Sequence, residues 1–192
     1  MLETLQAWDE ALLLVLNGAP SWLGPVAWGL SSLWAAVPVV ILILWKLFSR
    51  FPLRRAMLGL LTVVLTFSGT DAISSRLMKP GFERLRPSHE PRLDGLLTLH
   101  HHPDGSVYRG GRFGFVSSHA ANTFGLATCA VLLLGAGAWR WLWLWAALIS
   151  WSRVYLGVHY TGDVVCGALF GVGFAAATAL AVTRLSSIRT QP

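Results

Sequence analysis

Five apolar runs, each close to the length that carries a helix across a bilayer, limit this chain more than any other feature. They lie at about 21–45, 56–77, 118–135, 140–157 and 161–182, and a helical crossing takes roughly 20 apolar residues. Of the 192 residues, 54% are hydrophobic and only 12% are charged, with a mean hydropathy of +0.57. That balance excludes an ordinary soluble domain. The pattern predicts an all-α, polytopic membrane helix bundle of about five transmembrane helices, organised as a single domain over residues 1–192. Glu3, Asp9 and Glu10 stand where a cleavable signal peptide would carry basic residues, so none is expected.

Residues 2–17 are too polar at their start to cross. Trp8, Leu12, Val15 and Leu16 share one face of a helix, with Asp9 and Glu10 off it. An interfacial helix lying on the membrane is the expectation, ended by Asn17-Gly18-Ala19-Pro20. Lys46, Arg50, Arg54 and Arg55 fill the connector after the first run, Arg140 precedes the fourth, and Arg184 and Arg189 follow the fifth. All fall on one side, which the positive-inside rule makes cytoplasmic. The net charge of +6 then belongs to loop topology and anionic lipid, not to nucleic acid. The Trp-rich stretch at 139–145 reads as an interface anchor. Cys129 and Cys166 sit in apolar runs and read as small buried residues, not as a disulfide or metal pair.

The polar segment at 79–116 and the short junction at 157–161 therefore meet at the opposite membrane face, and three groups of residues there carry chemistry. In KPGFERLRP, Lys79 and Arg86 offer an ammonium and a planar guanidinium, a combination suited to a phosphate dianion. In FVSSHAANTFG, Ser117 or Ser118 is positioned to cap a helix whose free N–H groups favour an anion, with His119 in its first turn. In SRVYLGVHYTGD, His159 and Asp163 are four apart, so on a helix they share a face. The carboxylate then holds one imidazole nitrogen and leaves the other free to attack, while Arg153 adds another cation.

Taken together these read Lys-x6-Arg-Pro, Ser-x-His at a helix start, and Ser-Arg-x5-His-x3-Asp. In order, spacing and shared side they resemble the type-2 phosphatidic acid phosphatase superfamily, whose site is shared with vanadium haloperoxidases. The motifs cover about 79–163, and the span layout extends the likeness over most of the chain. The resemblance implies a haloperoxidase-like phosphatase core and a catalytic trio. His159 would be the nucleophile that forms a phosphohistidine, Asp163 its orienting carboxylate, and His119 the group that protonates the leaving oxygen and then activates water. Lys79, Arg86, Arg153 and Ser117, with the backbone N–H of Ser118 or His119, would hold the phosphoryl oxygens. No metal and no other cofactor is implied, because three cations already neutralise the phosphate. One position departs from the family pattern: where Pro-Ser-Gly-His is usual, this chain has Val116-Ser117-Ser118-His119, which puts a Cβ and a hydroxyl where backbone approaches the anion.

The functional expectation is metal-independent hydrolysis of a lipid phosphate or pyrophosphate at the extracytoplasmic face of a bacterial inner membrane. Undecaprenyl pyrophosphate is the leading substrate, with phosphatidylglycerol phosphate, phosphatidate and lipid A phosphate as alternatives. A lipid-phosphate binder or transporter that does not cleave is the reading from another class, and a soluble-sugar phosphatase is a third. No oligomeric state follows from the sequence. The run His100–His102 reads as solvated loop, since no matched carboxylate or thiolate spacing accompanies it. Asp71, Ser75 and Lys79 fall on one helix face, which makes Asp71 a satisfied interhelical polar residue, a partner of Lys79 or Arg153 behind the phosphate site, or a contact to the lipid head group.

Overall fold

The computed structural model describes residues 2–188. Eight helices form the fold: α1 (Leu2–Asn17), α2 (Gly24–Ser31), α3 (Val37–Arg50), α4 (Leu53–Ala72), α5 (Lys79–Phe82), α6 (Ser118–Leu134), α7 (Trp141–Tyr155) and α8 (Thr161–Ile188). Among the described residues there are no strands, only two isolated bridges in the polar loop. The stretches Leu33–Arg50, Leu53–Phe82 and Thr161–Leu185 are long and apolar enough to cross a membrane, and the pair α1–α2, bent by 86°, would make a fourth crossing. The chain is an integral membrane protein. Helices α6 and α7, at 17 and 15 residues, reach only about 25 and 22 Å at the α-helical rise. Both are shorter than a hydrocarbon core of about 30 Å.

The first apolar run departs from expectation, because it is not one helix. Ser32 takes an extended conformation and breaks it, and the chain restarts at Val37 with Pro38 in the first turn. There the missing proline N–H leaves no helical bond unmade. The N-terminal piece, α2, packs against α7 instead of continuing across. The second run is longer than its apolarity indicates. Helix α4 runs through a π-helical turn, Ile73–Met78, directly into α5, so Lys79 stands on the helix and not in the loop beyond it. Helix α1 carries Trp8 (67% exposed) and Val15 (72%) outward and Leu13 into the core, the face expected of an interfacial helix.

Helices α6 and α8 form the axis of the bundle. Small residues let their backbones approach: a Cβ at Gly171 would overlap the Ala121 carbonyl, and one at Gly167 would lie 2.6 Å from the Ser117 carbonyl oxygen. Ile43, Leu47, Val63, Leu126, Cys129, Leu134 and Ala175 fill the core around this seam. Cys166 is only half-buried on α8, a correction to its expected burial. At one end of the bundle Arg50 donates to the Leu134 carbonyl at 3.0 Å, joining the basic connector to the end of α6. Arg189 lies outside the described residues. The polar groups gather at the other end.

Candidate active site

A cavity of about 390 Å³ opens at that end. Lys79, Arg86, Ser118, His119, Arg153 and His159 all line it, so six of the eight residues singled out from the sequence meet on one hollow. The remaining two, Ser117 and Asp163, are fully buried behind it. The Ser117 hydroxyl has no hydrogen-bond partner and makes no cap bond, although Ser117 occupies the N-cap of α6. Its backbone N–H instead donates to the Asp163 carbonyl at 3.0 Å, which ties the start of α6 to α8.

His159 and Asp163 pair as expected, but not as neighbours on a helix. His159 precedes α8, in the turn after α7, and is 1% exposed. Asp163 occupies the first turn of α8 and reaches back, accepting from the Tyr160 N–H at 3.2 Å and from His159 Nδ1 at 3.3 Å. This is one half of a capping box, the half in which an N3 carboxylate satisfies the N-cap amide. With Nδ1–H donated to a carboxylate, the Nε2 lone pair of His159 is free. Burial first, and then the charges of Arg86 and Arg153, push the His159 imidazole well below its ordinary range, so it is neutral at neutral pH.

Arg84 is the residue that motif reading missed. Its Nη1 donates to Asp163 Oδ1 at 2.7 Å and its Nη2 to Asp9 Oδ2 at 2.8 Å. Asp9 also accepts from the Gly162 N–H at 2.8 Å. Helix α1 is thereby joined to the carboxylate that orients His159. The available signal was a third cation inside KPGFERLRP, set against an N-terminal aspartate with no assigned role.

The cations are fixed by backbone. The segment 84–86 pairs antiparallel with 112–114 through Arg86 N–H to Arg112 O and Gly114 N–H to Arg84 O. The Arg86 side chain donates to the Phe113 carbonyl at 3.1 Å. Burial and the neighbouring Arg153 lower its guanidinium to about 10. Gly110, at φ +67°, passes so close that a Cβ would sit 2.6 Å from Arg86 Nη1. Arg153 donates to the Tyr108 hydroxyl at 2.9 Å and contacts the Ser31 hydroxyl. His119 Nε2 lies 3.3 Å from the Ser31 carbonyl. Ser31 and Tyr108 carry no sequence signal; only the break after α2 and the fold of the loop bring them here.

Ser118, at the position of the family's glycine, accepts from Lys79 Nζ at 2.7 Å and from Ser74 Oγ at 2.8 Å. Ser75 Oγ is 3.3 Å away. The π-helical turn presents these serines, and such turns recur at functional sites. The histidine run is solvated loop only in part, for His101 is exposed while His100 and His102 are half-buried. His100 stacks on Trp28 with centroids 3.9 Å apart, and His102 meets both Trp28 and Tyr108 edge-on. The rings pack the loop onto α2, beside Arg153. Among the described residues no group of three or more metal-ligating side chains is placed to hold a metal ion.

Against known proteins, the family model of the PAP2 superfamily matches residues 56–187. A lipid A 4'-phosphatase of Bacteroides thetaiotaomicron is 36% identical over 183 residues, covering 89% of this chain and 75% of that protein. Its namesake in Porphyromonas gingivalis is 32% identical over 170 residues, covering 85% and 68%. Two crystal structures share the fold, each at 23% identity. The transmembrane PAP2-type phosphatidylglycerolphosphate phosphatase of Bacillus subtilis has a TM-score of 0.65, over 98% of this chain and 88% of its own. Aquifex aeolicus LpxE has a TM-score of 0.57, over 88% and 92%. With the family model covering most of the chain, and with both motif histidines on one cation-lined cavity, this protein belongs to the PAP2 superfamily.

Proposed function

We propose that this protein is a metal-independent phosphatase of a membrane lipid phosphomonoester, with a sugar-headed lipid of the lipid A kind as its substrate. The observation that carries the reading is the convergence of His119, His159 and three cations on one hollow. A binder needs the cations alone; a carboxylate-held imidazole with a free Nε2 adds a nucleophile. The names of the two relatives above 30% identity favour the lipid A head over undecaprenyl pyrophosphate, the leading expectation from the motifs.

Lys79, Arg86 and Arg153 hold the phosphoryl oxygens, joined by the α6 N-terminal N–H groups. His159 Nε2 attacks phosphorus as the bond to the lipid oxygen breaks. His119, as imidazolium, gives that oxygen its proton, and the phosphate charge among the cations stabilises the imidazolium form. Neutral His119 then takes a proton from water, whose oxygen attacks phosphorus. The P–N bond breaks, inorganic phosphate leaves, and both imidazoles return to their starting forms. Asp163 stabilises the charge that grows on His159, and Arg84 holds Asp163.

The basic end of the bundle is cytoplasmic by the positive-inside rule, which faces the cavity to the exterior of a bacterial inner membrane. The test is phosphate release from lipid A, undecaprenyl pyrophosphate and phosphatidylglycerol phosphate by the purified protein in excess EDTA. Release that vanishes in His159→Ala and is blocked by vanadate is expected. Lipid depletion without phosphate release would establish a binder instead.

A further inference from the structure

We propose that Asp71, oriented by Asn122, reads the unit of the lipid next to the phosphate. It would select a head group that donates hydrogen bonds, a hydroxyl- or amide-bearing sugar, over a bare polyprenyl chain. The inference deepens the phosphatase reading and rests on it.

Asp71 stands on α4, eight residues before Lys79, and both line the same cavity. Eight residues are about 12 Å of helix, so Asp71 lies one sugar or a few methylenes deeper in the bilayer than the phosphate cations. Its neighbours Leu33 and Phe67 line the same wall and are largely exposed. Asp71 is the one carboxylate of the cavity lining, beside the uncharged polar Ser32, Ser75, Asn122 and Thr123 and the apolar Leu30 and Ala36.

A carboxylate is costly at that place. It sits in a membrane-spanning segment, where ionisable groups are expensive and mark function, and its charge opposes the anion that the cations gather. Its one hydrogen bond is from Asn122 Nδ2 at 3.2 Å. The Asn122 amide oxygen in turn accepts from the Thr70 hydroxyl at 2.7 Å, the shortest of that hydroxyl's contacts, with the Thr66 carbonyl at 2.8 Å competing for its one proton. The bond from Thr70 turns the Asn122 NH2 group toward Asp71 and leaves the second carboxylate oxygen without a hydrogen-bond partner among the described residues. Hydroxyl or amide N–H donors on a sugar would satisfy it. A polyprenyl chain would lay hydrocarbon on it, and a site built to hydrogen-bond its substrate strongly rejects an analogue lacking the partner group.

The experiment compares two phosphomonoesters in detergent without metal, an N-acylated glucosamine lipid 4-phosphate and undecaprenyl monophosphate, by kcat/KM. In Asp71→Leu, a loss of at least tenfold is expected on the sugar-headed lipid, with the polyprenyl lipid unchanged or faster. Asp71→Asn, which keeps an acceptor, should lose less. Equal loss on both lipids at an unchanged melting temperature overturns the proposal, as does full retention on the sugar-headed lipid. Should Asp71→Leu fail to fold, Asp71→Asn and Asn122→Leu decide: a fall in the sugar-to-polyprenyl ratio supports the proposal and a constant ratio overturns it. Wild-type protein that releases phosphate from neither lipid removes the phosphatase reading itself, a result distinct from every variant outcome.

Discussion

The two histidines of the cavity are held in opposite ways. His159 is buried in a turn, with Asp163 on one nitrogen and Arg84 and Asp9 behind that carboxylate. His119 stands at the start of a helix, and among the described residues its ring has one hydrogen-bond partner, the Ser31 backbone carbonyl at 3.3 Å. A nucleophile benefits from a locked tautomer and a fixed line of attack. A group that must deliver a proton to one oxygen and take it from another benefits from looser restraint. The difference between the sites thus matches the difference between the roles proposed for them.

That contrast can be broken at several points. The largest expected effect is in His159→Ala, where phosphate release should fall by about 10⁴-fold or more, on activated aryl phosphates as well as on lipid, since no step bypasses the nucleophile. His119→Ala should cost about 10²–10⁴-fold on lipid; an aryl phosphate, whose leaving oxygen needs no proton, should rescue the first step, read as a burst of released phenol, while hydrolysis of the phosphohistidine stays slow for want of its base. Equal rescue in both variants would erase the distinction.

Arg84→Gln should follow, lowering kcat by roughly 10- to 100-fold through the unsupported Asp163. Stability should fall by about 2 kcal/mol, the scale of one charged hydrogen bond, read as a lower melting temperature in detergent. Asp9→Asn should have the same direction and a smaller size.

The pH profile gives a subtler effect. Because burial and cations disfavour the imidazolium of His159, the acid limb of kcat/KM should lie below pH 6.5. Activity present at neutral pH should be lost only as pH falls through that lowered value. Arg86→Gln removes one of the opposing charges and should move the limb upward while reducing the rate. The smallest effect is expected from Ser118→Gly, a few-fold rise in KM as Lys79 loses an acceptor.

Much of the fold was legible because apolar length is a local property. The runs at 56–77, 118–135, 140–157 and 161–182 each became a helix, and the charged connectors fixed which ends lie together. The break at Ser32 was not legible, since an apolar run with serines and a proline serves equally as a kinked span or as two helices. Only the packing of α2 on α7 separates these. At the site, motif spacing found the residues that face the cavity. Of the residues that hold them, Asp9, Ser31 and Tyr108 come from segments with no motif, and Arg84 lies inside KPGFERLRP but at none of its signature positions.

The sequence by itself determined a membrane bundle and the chemical types that meet a phosphate, because hydrophobic length and motif order need no partner to be read. The tertiary structure alone decided how those groups are restrained. Hydrogen bonds such as Arg84–Asp163 join residues 79 positions apart, and only the closing of α6 on α8 through small residues brings such partners within reach.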